Sequence, residues 1–123
     1  YYREQLGVKT DRSYITSAGL WTRWDNRHTQ PGVADYGQMP MANTGVDLNH
    51  AMIQNPNLRV LVQQGYYDLA TPYGATDYFL DHMELPDELR KNITLKHYEA
   101  GHMMYLHKES MIQFSSDLAK FVE

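Results

Sequence analysis

Cysteine is absent from this 123-residue chain. That excludes disulfides, thiolate nucleophiles and zinc–thiolate sites, and it leaves the compartment open because a secreted protein need not carry disulfides. No apolar run approaches the roughly 18 residues of a membrane span, and no signal-type apolar stretch stands at the start. The chain begins with Tyr1 rather than Met, which is expected of a processed chain or a fragment. Charge of one sign is also missing. The 11 basic and 15 acidic residues are scattered, for a formal charge of -4, and create no field suited to nucleic acid or anionic lipid. The expected partner is a small molecule or a peptide. What the chain does have is 42% apolar and 12% aromatic residues, enough for a globular domain that buries roughly two thirds of its unfolded-state surface.

The organisation changes along the chain. Residues 1–45 mix Tyr1, Tyr2, Tyr14, Trp21, Trp24 and Tyr36 with the Gly and Pro of "TQPGVADYGQMPMANTG", and no period of 2 or 3.6 persists there. This segment is expected to be irregular, with short helices over residues 1–7 and 17–23, as a cap or the remnant of an insertion. Trp21 and Trp24 are expected to be packed aromatics. From Thr44 the pattern sharpens. Thr44 is a plausible cap for a helix over residues 46–54, carrying Leu48, Ala51 and Met52 on one face and stopped by "NPN". "LRVLV", residues 58–62, is short and β-rich and predicts a buried strand closed by Gly65. Thr71 then caps a helix with Pro72 at its first position and Ala75, Tyr78, Phe79, His82 and Met83 at helical spacing.

"ELPDELRKN" leads back to a second strand, residues 93–98, in which Ile93, Leu95 and His97 alternate with Thr94, Lys96 and Tyr98. A final helix over residues 108–122 has an apolar stripe of Met111, Phe114 or Ser115, Leu118, and Phe121 or Val122. Strand, helix, strand, helix predicts an α/β fold with parallel strands. In such sheets the working groups lie beyond the carboxyl ends of the strands. Asp68 follows the first strand and His102 the second, so pairing of the strands brings both loops to one edge of the sheet. There a buried carboxylate can hold an imidazole in one tautomer and stabilise its protonated form. Gly101 is expected to permit the tight turn and leave room beside the ring. The pair lacks a nucleophile: none of Ser13, Ser17, Ser110, Ser115 and Ser116 lies in a G-x-S-x-G elbow.

In "RVLVQQGYYDLATPYGATDYFLDHM" and "ITLKHYEAGHMMYLH" the chain resembles the serine carboxypeptidase family, particularly its bacterial members, over most of the last 65 residues; "YITSAGLWTRW" adds weak support. The resemblance implies the C-terminal part of an α/β-hydrolase over residues 46–123, with the nucleophile-bearing N-terminal part lying outside this chain. It implies catalytic roles for Asp68 and His102 as triad members, a place for Met103 on the leaving-residue side of the cleft, a peptide substrate, and neither cofactor nor metal. Secretion to the periplasm or beyond is the family's habit. The family's serine elbow, oxyanion hole and carboxylate-binding acids have no counterpart here, and the disulfides of its fungal and plant members are missing.

Plainer readings stand beside each of these. Asp68 is also a common turn residue. His97, His102 and His107 could be metal ligands, although steps of five match neither helical nor strand ligand spacing. His97 otherwise reads as an ordinary strand residue and His107 as the start of the last helix, while Tyr66 and Tyr67 pack at the strand end. Met103 could be core filler. An esterase, aminopeptidase or acyltransferase using the same pair is an alternative within the fold, and a catalytically silent binding module is an alternative outside enzymes.

Overall fold

The computed structural model describes residues 1–25, 27–31 and 43–123. Tyr36 and most of the glycine- and proline-rich stretch lie outside the described residues. The chain is a mixed helix and strand protein. After a 3-10 turn, Leu20–Thr22, come helix α1 (Thr44–Gln54), strand β1 (Val60–Gly65), helix α2 (Tyr73–Asp81), the single turn α3 (Asp87–Arg90), strand β2 (Ile93–Tyr98), a second 3-10 turn, Met104–Leu106, and helix α4 (Lys108–Val122). The strands pair in parallel, Val60 opposite Ile93 through Gly65 opposite Tyr98. Parallel pairing requires a crossover, and α2 with α3 supplies it.

Alternation along the strands gives the sheet two unlike faces. On one, Val60, Val62, Ile93 and Leu95 pack against the buried Met52, Leu80, Met83 and Leu85, with Leu48, Phe79 and Leu89 around them. Met52 is fully buried, and burial of a side chain of that size stabilises by about 1.5–3 kcal/mol. On the other face, beyond Leu61, the groups are mostly polar. The Gln63 amide donates to the Tyr98 hydroxyl and to the carbonyl of Phe114, and the Tyr98 hydroxyl donates to Asp117. Tyr98 is 2% exposed, and burial is the largest cause pushing its phenol up from its ordinary value. Here α4 meets the sheet through Phe114, Asp117 and Phe121.

Several elements differ in detail from the sequence reading. Asn43, not Thr44, caps α1, its side chain accepting from the Gly45 N–H at 3.2 Å. β1 starts two residues later than expected and runs on through Gly65, because Leu58 is held in the turn that closes α1 by a bond to Asn55. Pro72 stands at the cap position of α2, and Thr71 turns its hydroxyl to Asp68 instead. Of the face expected for α2, Phe79 and Met83 do pack against the core, joined there by Leu80, whereas Tyr78 is 66% exposed and stacks on His82 at the surface. In α4, Phe114 and Phe121 point in, while Met111, Leu118 and Val122 lie in solvent.

The expected helix over residues 1–7 is a run of turns, and that over 17–23 is only the 3-10 turn. Trp21 and Trp24 are 73% and 68% exposed, which corrects the expectation that they are packed. This segment brings no amphipathic period to bury them. It is tied to the rest through His28, whose Nε2 meets both oxygens of Asp47 on α1 at 2.8 and 2.9 Å. Among the described residues no helix is long and apolar enough to cross a membrane.

Candidate functional site

Beyond the carboxyl ends of β1 and β2 the two loops are stitched together by their backbones. Tyr66 N–H donates to the carbonyl of Tyr98 at 2.9 Å and Tyr67 N–H to that of Ala100 at 3.0 Å. So close an approach requires Gly65. A Cβ there would overlap the carbonyl of Ala100 and come within 2.5 Å of that of Gly101. Gly101, expected to permit the tight turn and leave room beside the ring, is under no such constraint. A Cβ on it would meet only the Tyr67 carbonyl at 3.8 Å, and its φ lies outside the left-handed region. The sequence showed which loops meet, but the tight backbone contact falls under the first strand instead of beside the histidine.

The joined loops bring Asp68 and His102 together. Asp68 is 6% exposed. One of its oxygens accepts from the N–H groups of Ala70 and Thr71 at 2.8 and 2.9 Å, the turn that a short acidic side chain makes with its own backbone. The other accepts from the Thr71 hydroxyl at 2.6 Å and lies 2.8 Å from Nδ1 of His102. The Thr71 hydroxyl first, then the Thr71 N–H and the His102 ring, hold this carboxyl well below the usual carboxylate range. An ionised carboxylate only accepts, so the proton of the His102 ring is assigned to Nδ1 and the lone pair of a neutral ring to Nε2. Thr71 Oγ1 also lies 3.5 Å from His102 Nδ1, but its proton is already directed to Asp68, and that separation is too long for a second strong bond. The His102 side chain is 63% exposed, so a basic nitrogen faces outward from a ring fixed at its other edge.

His102 stands in the walls of two clefts. One, of about 420 Å³, is lined by Ala100, Gly101, His102, Met103, Leu106 and His107. The other, of about 340 Å³, includes Gly65, Asp68, Thr71, Thr76, His102 and Met104. Met103 is 49% exposed and shares the first cleft with the imidazole. A further cleft of about 310 Å³, between Arg59, Lys91, Lys96 and Lys120, lies toward the amino ends of the strands. It has no histidine or hydroxyl nucleophile beside its cations other than Thr94, and chemistry at Nε2 of His102 belongs to the opposite end.

The other two histidines of the closing stretch have partners of their own. His107 precedes α4, with Nδ1 2.8 Å from the Ser110 hydroxyl and Nε2 3.1 Å from a Glu109 oxygen. This row of serine, histidine and glutamate was not foreseen, because spacing alone does not say which way the first turn of a helix points. Ser110 is 2% exposed, so its hydroxyl is shielded from any substrate within this chain. Among the described residues no serine hydrogen-bonds to His102, whose partners are Asp68 and Thr71. His97, read as an ordinary strand residue, meets Asp77 at 3.0 Å and Gln64 at 3.0 Å. Tyr66 does pack at the strand end, stacked on His97, while Tyr67 is 64% exposed. The three histidines therefore face three different sets of groups. Among the described residues no cluster of three or more histidines and acids is placed to hold a metal ion.

Compared with protein-family models, with curated proteins and with solved structures, the chain matches none.

Proposed function

We propose that this chain supplies the aspartate and the histidine of a serine-type hydrolase with an α/β-hydrolase fold, and that the enzyme is a carboxypeptidase. The observation that carries the reading is the 2.8 Å contact between the buried Asp68 carboxylate and Nδ1 of an exposed His102 at the ends of paired parallel strands. In this reading a serine outside these 123 residues attacks the carbonyl of the last peptide bond. His102 Nε2 takes its proton and returns it to the departing amino acid, and Asp68 keeps the ring oriented and stabilises its cation. Water then releases the acyl group by the same exchange. The narrower choice of a carboxypeptidase rests on the motifs around Asp68 and His102, and Met103 is assigned to the wall that meets the departing residue.

The test is hydrolysis of N-blocked dipeptides by the full-length protein, with and without a free terminal carboxylate, together with labelling by a serine-directed phosphonylating reagent. Release of the C-terminal residue only from substrates bearing the carboxylate, lost in His102→Ala, is the expected result. Equal turnover of blocked amides and esters would replace the carboxypeptidase with an esterase or acyltransferase on the same pair. Release of the first residue from an unblocked peptide amide, with N-blocked substrates untouched, would point to an aminopeptidase. A full-length protein with no labelled serine and no turnover would leave a binding module.

A further inference from the structure

Beneath the Asp68–His102 pair, the otherwise apolar sheet face ends in two polar residues. Val60, Val62, Ile93 and Leu95 serve the core, but the next residues on that face, Gln64 and His97, stand opposite each other in the sheet register and are buried and largely buried, His97 at 18%. Nε2 of Gln64 lies 2.8 Å from Oδ1 of Asp77 on α2, and Nε2 of His97 lies 3.0 Å from the same oxygen. A carboxylate only accepts, so both nitrogens donate to Asp77 and the His97 proton is assigned to Nε2; the 3.0 Å approach of the two nitrogens to each other is then a contact between donors, not a hydrogen bond. The Gln64 amide also reaches the carbonyl of Tyr73 at 3.4 Å. Tyr66 stacks on the imidazole, 5.1 Å between centroids, and Tyr73 meets its edge. For stability alone an apolar pair would serve this place at least as well, since buried polar groups stabilise little beyond what their desolvation costs.

We propose that Gln64, His97 and Asp77 are positioning residues that set the register of the two loops carrying Asp68 and His102. Each belongs to an element that delivers part of the site. Gln64 lies four positions before Asp68, and His97 five before His102. Asp77 fixes α2, which begins two residues after Thr71, the residue that binds Asp68 through both its N–H and its hydroxyl. Hydrogen bonds fix distance and direction where apolar contact permits sliding, and a displacement of an ångström at the reacting groups is enough to cost orders of magnitude in rate.

The catalytic consequence rests on the hydrolase reading, whereas the geometric one does not, so the experiment on the full-length protein reads both. The first variant combines Gln64→Leu with His97→Leu and completes the apolar face; the second is His97→Gln, which keeps an N–H for Asp77. In the double variant the far-downfield proton of His102 Nδ1, the signature of its bond to Asp68, is expected to broaden or vanish. Its kcat should fall about tenfold or more, with KM within about twofold, while Tm holds or rises. His97→Gln should restore the proton signal and most of kcat. A double variant with the proton signal and kcat of the parent would overturn the proposal. So would a loss of Tm with the signal intact, which is the mark of a merely structural cluster. If the double variant does not fold, Asp77→Asn decides by the same signal: a weakened signal supports the proposal and an unchanged one overturns it. A parent protein without hydrolysis would count against the hydrolase reading alone, leaving the proton signal to judge the positioning.

Discussion

Two histidine–aspartate pairs stand within a few residues of each other, and their environments are opposite. In Asp68–His102 the acid is buried and the ring lies 63% exposed, anchored through Nδ1 with Nε2 outward. In Asp77–His97 the ring is 18% exposed between two tyrosines and is anchored through Nε2, the nitrogen that the other pair leaves free. The same two side chains thus leave a ring nitrogen open to solvent in one place and enclose it between elements in the other. The difference lies in which ring nitrogen the carboxylate occupies and in what covers the ring.

The largest expected effect separates the pairs by chemistry. In the full-length protein, His102→Ala should lower kcat by about 10,000-fold, and Asp68→Asn, which releases the ring to the wrong tautomer, by a similar factor, with the folded structure retained. Steady-state kinetics beside a far-ultraviolet dichroism spectrum checks both. Activity of Asp68→Asn close to that of the parent would place Asp68 among ordinary turn residues.

Next comes the stitching that only the exposed pair depends on. Gly65→Ala drives a methyl into the carbonyls of Ala100 and Gly101 and should cost about 1–3 kcal/mol as well as separating Asp68 from His102. Gly101→Ala, which meets only an ordinary contact, should stay within about 0.5 kcal/mol. Chemical denaturation of the two variants side by side gives the ranking. The reverse order would mean that the close approach lies at the histidine loop after all.

Acid should act on Asp68 through its hydrogen bonds. Its carboxyl is held below the ordinary range chiefly by Thr71, so the folded state keeps it ionised where the unfolded chain takes up a proton. The resulting stabilisation is fully present above the unfolded carboxyl's value near ~3.9 and fades as pH falls from there through the lower folded value. Melting curves of the parent and Thr71→Val should lie furthest apart near neutrality and converge toward strong acid. A gap that stayed constant with pH would assign the loss to packing.

The smallest effect concerns the wall of the cleft. Met103→Ala removes a flexible apolar side chain beside His102 and should change the relative kcat/KM for bulky against small departing residues by roughly 10-fold, the scale of a few methylenes in an apolar pocket, with little change in Tm. Ratios that do not move would leave Met103 as filler.

Much of this was legible along the chain. The strand at residues 93–98 matches β2, and its alternation predicts the two faces it presents. The long final helix matches α4. Asp68 and His102 were foreseen as neighbours because parallel strands deliver their following loops to one edge. The inward face of α2 was foreseen for Phe79 and Met83 but misjudged for Tyr78 and His82, which are amphipathic and as acceptable in water as against a core. The close approach that requires Gly65 was not foreseen, since a sequence marks where a chain turns but not which neighbouring backbone it must pass. His97 looked like any strand residue because its partners, Gln64 and Asp77, are distant in sequence and meet it only after the crossover closes.

The sequence by itself determined the alternation of elements, the polar end of an apolar strand face, the lack of thiols, and the two residues that end up paired beyond the sheet. Those follow from local chemistry: side-chain period, turn formers and composition act over a few residues. Tertiary structure alone decided which imidazole nitrogen each aspartate occupies, which histidine is open to solvent, and which serine is sealed away, Ser110 at 2% exposure beside His107. Those depend on burial and on hydrogen-bond direction between segments far apart in the chain, and both are set only when the strands pair and the helices close over them.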